Sequence, residues 1–289
     1  MIGDALMDIT ARIETEIAYA SDTPARISQQ PGGSGANTAA WLAAAGGRPT
    51  YVGCVGSDLP GEALTARLSE IGVDVQVSTA IEAPTGTCIV IVDALGERTM
   101  FPDPGANCLL TPDFVTSVLG SGFDHLHLSG YTLFNEGSRA AAVAAIDAAA
   151  RMGCTVSLDT ASAGPLAGCR DLVLGVLPRV DVVLANAAEA AVLSGERDPR
   201  RALTGLAAGS GTVIVKLGPQ GAIGSHAGVE AAVPAQSVDV VDTTGAGDAF
   251  GAGFLLAWLS GNPLRDALAA GAATASRAVT RVGAGPPPD

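Results

Sequence analysis

Short apolar runs alternate with longer Ala-rich stretches along most of this 289-residue chain. Thr50–Val55, Phe123–Leu128, Thr155–Leu158, Val180–Leu184 and Thr212–Leu217 read as strands. Thr38–Ala45, Gly61–Ile71 and Ser138–Arg151 read as helices, and Ala246–Ser260 and Pro263 to about Arg281 supply two more. Such alternation predicts an α/β fold, a mostly parallel sheet covered by helices. Two segments break the rhythm: Ile9–Ile17 and Thr87–Phe101 read as antiparallel strands, the second folding on Leu95-Gly96-Glu97 as a hairpin. They predict a small sheet over the open face of the main one. No linker, repeat or low-complexity segment divides the chain, so a single domain is expected, with Pro286-Pro287-Pro288 as a tail. Met1-Ile2 is too short for a central strand ahead of Gly3-Asp4, which leads us to expect further residues upstream.

Composition narrows the class. An apolar content of 48% supports a sizeable buried core. No apolar run reaches the roughly 18 residues that span a bilayer, and no basic-then-apolar leader is visible, so the expected location is the cytoplasm. A net charge of −13 argues against nucleic acid, whose binding rests on basic contacts to phosphate. An anionic ligand must then be held by local amides and a metal ion. Cys54, Cys88, Cys108, Cys154 and Cys169 are scattered with no C-x-x-C pair, which indicates buried free thiols, not disulfides or zinc. Lys216 is the sole lysine, and Val215 before it excludes a Walker-type P-loop, which needs Gly there.

The chemistry concentrates in Asp242-Thr243-Thr244-Gly245-Ala246-Gly247-Asp248-Ala249-Phe250. A small-residue turn opening a long apolar helix leaves amides unpaired where the macrodipole favours negative charge. Gly245, Ala246 and Gly247 carry almost no side chain, so a phosphate can approach those amides closely. Asp248 stands where a base would deprotonate an attacking hydroxyl. By itself GAGD reads equally well as a capped helix after a Gly turn. Gly32-Gly33-Ser34-Gly35-Ala36-Asn37 is a second Gly-rich turn entering a helix. Asp8, with Asp4 as a further candidate, is placed at the end of the first strand, where open α/β sheets bind ligands; a solvated loop Asp is the alternative. Asn186-Ala187-Ala188-Glu189 follows an apolar strand and also reads as a capping box. Lys216, followed by Gly218 and Gly221, ends another strand and either lines a phosphate site or reaches solvent. His125 and His127 alternate on one strand and read as structural. Glu97 and Arg98 read as a solvated pair in the hairpin, with Arg98 able to reach an anionic group.

In this order the elements resemble the ribokinase-like (PfkB-type) carbohydrate kinases, and the resemblance covers nearly the whole chain. It implies one three-layer α/β/α domain over residues 1–289, with a small antiparallel β lid at about 9–31 and 84–105. It implies ATP-dependent phosphorylation of a primary hydroxyl, with Asp248 as base and the Gly245–Gly247 amides as anion hole. Asp8, Gly32, Gly33 and Asn37, with Asp4, would hold a small-molecule sugar. Asn186, Glu189, Lys216, Gly218, Gly221 and Thr243 would contact ATP, Glu189 ordering Mg²⁺ through water. Asp242 and Thr244, with Val279 and Gly283, would hold a K⁺-like cation, although proline around Pro287 replaces a serine common in the family. The lid would pair two subunits into a homodimer. Ribose specifically is disfavoured, because Ser34 and Ser129-Gly130 stand where ribokinases carry Lys and Glu. Nucleoside phosphorylation is the alternative, as is a non-catalytic sugar or nucleotide sensor.

Overall fold

The computed structural model describes residues 1–94, 97–120, 122–209 and 211–287. Its main sheet runs β12-β11-β10-β9-β8-β7, then continues through Ile2 into β3-β4. The strands are β3 (Thr50–Gly56), β4 (Asp74–Ala80), β7 (His125–Ser129), β8 (Thr155–Asp159), β9 (Val182–Asn186), β10 (Thr212–Lys216), β11 (Ala222–His226) and β12 (Val229–Val233). β7 to β10 pair in parallel, as do β3 and β4, whereas β11 and β12 close one edge antiparallel. Met1-Ile2, expected to be too short, completes the sheet with one residue. Ile2 bridges Val52 and Leu128, its amide donating to the His127 carbonyl at 2.8 Å and its carbonyl accepting from Ser129 at 2.9 Å.

The helices are α1 (Ser34–Ala44), α2 (Leu59–Glu70), α3 (Pro112–Val118), α4 (Tyr131–Phe134), α5 (Glu136–Met152), α6 (Ala163–Gly168), α7 (Arg170–Val176), α8 (Ala187–Ser194), α9 (Pro199–Ala207), α10 (Ala246–Leu259) and α11 (Leu264–Val279). Alternate residues of each strand face different helix layers, since Cβ atoms alternate across a strand. Val182 and Leu184 pack with α10 and α11, while Val183 and Ala185 belong to the core shared with α3, α5, α8 and α9. Likewise Tyr51 and Val55 face α1 and α2, and Val52 and Cys54 face the opposite layer. Strands covered on both sides explain the continuous apolar runs.

The second sheet, order β2-β1-β5-β6, is formed by β1 (Leu6–Ile13), β2 (Ala25–Gly32), β5 (Gly86–Val92) and β6 (Arg98–Asp103). It is mixed, not antiparallel as expected: β1 and β5 run parallel. The β5–β6 hairpin is present, with Leu95 and Gly96 of its expected turn outside the described residues. Register places Asp8, Cys88, Gln30 and Arg98 on one face and Ile9, Ile89 and Phe101 on the other. Cys54 and Cys88 are buried as expected, but Cys108, Cys154 and Cys169 are only half-buried. His125 and His127 bond the hydroxyls of Thr155 and Ser157 on β8. Among the described residues no helix is long and apolar enough to cross a membrane.

Candidate active site

Three parallel strands end at one edge of the main sheet, in Asp159, Asn186 and Lys216, and α1 and α10 start beside them. Lys216 does not reach for solvent. Its Nζ donates to Asp159 Oδ2 at 2.6 Å, and a Cβ placed on Gly247 would lie 3.3 Å from it. Burial alone would lower the lysine's pKa, but the carboxylates of Asp159 and Glu189 outweigh it and push it up. Glu189 is 1% exposed and forms a capping box with Asn186; its Oε2 also accepts from Thr160 Oγ1 at 2.8 Å. Burial raises its pKa against the pull of Lys216. Beyond β10, Gly218 opens onto free space, while Gly221 backs onto the Val233 carbonyl.

The two helix starts differ in how their amides are met. α1 follows Gly33 and is capped by Asp4, whose carboxylate accepts from Ser34 N at 3.1 Å, Gly35 N at 3.4 Å and Ser129 Oγ at 3.1 Å. The approach is close: a Cβ on Gly3 would come within 2.5 Å of Gly35 Cα, so both positions need glycine. Asp4 is therefore engaged within the fold, with burial raising its pKa despite those bonds. α10, in contrast, begins at Gly245 (φ 72°) with no side-chain cap on its first amides.

Asp248 lies in the first turn of α10, half-buried and turned toward α1. Its Oδ1 accepts from Ser34 Oγ at 2.8 Å and its Oδ2 from Asn37 Nδ2 at 3.1 Å. Its pKa rises to about 7, chiefly through burial and then through Asp159, against the hydrogen bonds and Lys216. Asp8 sits not at the end of a central strand but within β1, on the face of the lid bearing Arg98, with Gly32 against its carboxylate. Burial, then the charges of Asp4 and Asp242, raise its pKa to about 7.

Asp242, Thr243, Thr244, Val279 and Gly283 converge behind the α10 turn. Asp242 Oδ1 accepts from Thr244 N at 2.8 Å and Thr244 Oγ1 at 2.7 Å, and Oδ2 from Gly283 N at 3.0 Å. The Val279 carbonyl accepts from the amides of Val241 and Asp242. Arg98, expected to pair with Glu97 in solvent, reaches from the lid to Asp242 Oδ1 at 3.0 Å.

A profile of the PfkB family of carbohydrate kinases matches residues 1–289. The chain belongs to that family. It is 33% identical over 280 residues to a fructokinase from Klebsiella pneumoniae, covering 93% of this chain and 87% of that protein. Its fold superposes on the crystal structure of an adenosine kinase from Sinorhizobium meliloti with a TM-score of 0.90 at 30% identity, covering 99% and 94% of the two chains. A putative ribokinase II from E. coli, solved with ATP and Mg²⁺, aligns with a TM-score of 0.87 at 29% identity over 98% and 92%. The three-layer architecture is thus ribokinase-like, and the protein is a PfkB-family kinase.

Against that family background, several residues in the site went unread in the sequence. Asp159 closes β8 and could have been found, since carboxyl ends of strands in open α/β sheets bear ligands. Ala161 beside it holds a positive φ of 61° while donating to Asp159 Oδ1 at 2.9 Å. Tyr131 follows β7, its hydroxyl pushed up to about 12 by burial and then by Asp4, with Asp248 and Glu189 adding to the effect.

Proposed function

We propose that this PfkB-family kinase transfers the terminal phosphoryl group of ATP to a primary hydroxyl of a sugar or sugar-like compound. The observation that carries the reading is the seat of Asp248: a carboxylate with raised proton affinity, beside a first turn of α10 that no side chain caps and where, among the described residues, only Ala246 N is met, by the Thr243 carbonyl at 3.3 Å. Asp248 takes the hydroxyl proton as the oxygen attacks the γ-phosphorus in line, and the bond from that phosphorus to the bridging oxygen of ADP breaks. The amides of the Gly245–Gly247 turn face the phosphoryl oxygens, where fixed donors need no reorganisation as charge spreads. Ser34 and Asn37 hold the Asp248 carboxylate in place before substrate arrives. Lys216, beneath the turn, adds positive charge near the phosphates.

The donor set also fits magnesium. Among the described residues no cluster of three or more ligating side chains exists, and this ion ordinarily takes one or two carboxylates and keeps its waters. Glu189 would order it through water, and the bound ion would neutralise phosphate charge. Asp8, Gly32, Gly33 and Asn37 line the sugar side under the lid, and Gly218 leaves room for the nucleotide. The relatives split between sugar and nucleoside acceptors. A sugar is favoured here because Tyr19 is 97% exposed and Phe101 lies on the lid face away from Asp8, so neither stacks on a base in the cleft. An ATP-consuming role suits the cytoplasm. The apolar outer face of the lid suits a homodimer.

Asp248→Asn should keep its circular dichroism spectrum yet lose about 10²–10⁴-fold in kcat, the usual cost of removing a general base. ATP turnover measured over a panel of sugars, sugar acids and nucleosides would name the acceptor. Near-full activity in the Asn variant would refute the assigned role.

A further inference from the structure

Arg98 opens β6 and carries its guanidinium across from the lid to the loop behind the anion turn. Both terminal nitrogens are engaged: one with Thr244 Oγ1, the other with Thr243 Oγ1 at 2.7 Å and Asp242 Oδ1 at 3.0 Å. The pair is largely shielded, with 22% of the Arg98 side chain and 14% of Asp242 exposed. Such a charge pair is strong only when hydrogen bonds meet its remaining oxygens and protons. Here they do, because Asp242 also accepts from Thr244 N and Gly283 N. A second lid strand touches the segment after α11 that bonds this loop, since a Cβ on Gly283 would overlap the Gln30 amide oxygen.

The oxygens expected for a K⁺-like cation are therefore already in use. Asp242 Oδ1 serves Thr244 and Arg98, and the Val279 carbonyl serves two amides. With the guanidinium already neutralising Asp242, a second bare cation on the same carboxylate would meet its repulsion and already-bonded oxygens, so the donor set as arranged does not fit the ion. An unneutralised Asp242 beside incoming phosphates would oppose them, and Asp4 and Asp8 add to the local negative charge.

We propose that Arg98 is a positioning residue, the tethered cation that neutralises Asp242 and sets the Thr243–Gly247 turn in place of a free monovalent cation. Because Arg98 rides on the lid, the anion turn acquires its working shape only with the lid seated. The activity arm of the test rests on the kinase reading above; the structural arm does not.

The wild-type protein should turn over equally in potassium chloride and in tetramethylammonium chloride at matched ionic strength. Arg98→Gln should lose about 100-fold in kcat in tetramethylammonium, the scale of loss when a reacting group is misplaced by an ångström. It should recover part of that loss in potassium or in dilute guanidinium. Arg98→Lys, which keeps the charge without the planar fork, should fall between and guards against a glutamine variant that fails to fold. Hydrogen exchange at the bonded amides of Val241, Asp242 and Thr244 should be slow in the wild type whatever the cation. In Arg98→Gln it should be fast and slowed again by potassium. Stimulation of the wild type by potassium would overturn the proposal, and so would unchanged kcat and unchanged exchange in Arg98→Gln. If no compound is phosphorylated by the wild type, the kinase reading fails while the exchange measurement still decides the role of Arg98.

Discussion

A free aspartate near its ordinary value of 3.8 is too weak a base to draw a proton from an alcohol efficiently. Burial beside α1, with Asp159 close by, lifts Asp248 to about 7 and brings it nearer the operating range. The pH profile follows. The base is competent when deprotonated, so kcat/KM should rise with pH and level off above about 7; a profile flat from pH 5 to 9 (roughly two units either side of the shifted value) would contradict it. Stability should move the other way. Between the unfolded value of 3.8 and the folded value of about 7, the native state binds more protons at Asp248 and at Asp8. Each group therefore disfavours folding progressively as pH rises across that window. Asp8→Asn should raise Tm at about pH 8, where this folded-state carboxyl is mostly ionised, more than at about pH 4, where it is protonated, in thermal melts. The juxtaposition of Asp248 with the glycine turn was legible from its own nine-residue string, because the turn and the proposed base are adjacent in sequence. Arg98 was not: its partners lie as far as 146 positions away, and only the lid's register brings them together. Asp4 misled for the same reason, since its role as a cap for α1 depends on Ser34 and on Ser129, 125 positions distant.

At the scale of elements, strongly patterned segments matched expectation to within a few residues. β9 and β10 carry continuous apolar runs, and α5 and α11 carry Ala-rich stretches. β2 was harder to delimit because Ala25–Gly32 is polar and largely exposed, with no alternation to mark its start. Ile2 escaped because one residue flanked by two completed strands needs no pattern of its own. α10 shows what a helix start gains from glycine. Gly245 holds φ 72°, and a Cβ there would strike the Ala284 carbonyl, itself fixed by Trp41 Nε1 at 2.8 Å. Gly245→Ala should thus lose at least about 1–2 kcal/mol from the left-handed backbone alone, before any displacement of the Gly283–Ala284 segment. A lowered Tm together with a lowered kcat is the expected result. Wild-type stability in that variant would show that the turn relaxes freely.

For the whole molecule, the lid sheet has one face tied to the Asp242–Thr244 loop and one face left apolar in water. Register aligns Ile9, Ile89 and Phe101 across three strands, and Ile27 and Ile91 extend the strip. Ile27 is 62%, Ile89 47% and Phe101 54% exposed. Apolar side chains grouped this way on a sheet face mark an association surface more often than scattered ones do. A second lid packed against this strip would bury those side chains without touching Asp248, Lys216 or Arg98, which lie on the other side. Sedimentation velocity should accordingly show a dimer at micromolar concentration, about where interfaces of ordinary size hold together. Ile89→Lys should shift it to a monomer while leaving the circular dichroism spectrum intact. Because the mutated face is remote from the carboxylates and from Arg98, that monomer should keep its lid seated on Asp242 and retain most of its kcat. A wild type that sediments as a monomer across the whole concentration range would remove the interface, and leave the exposed strip to be covered by something other than a second copy.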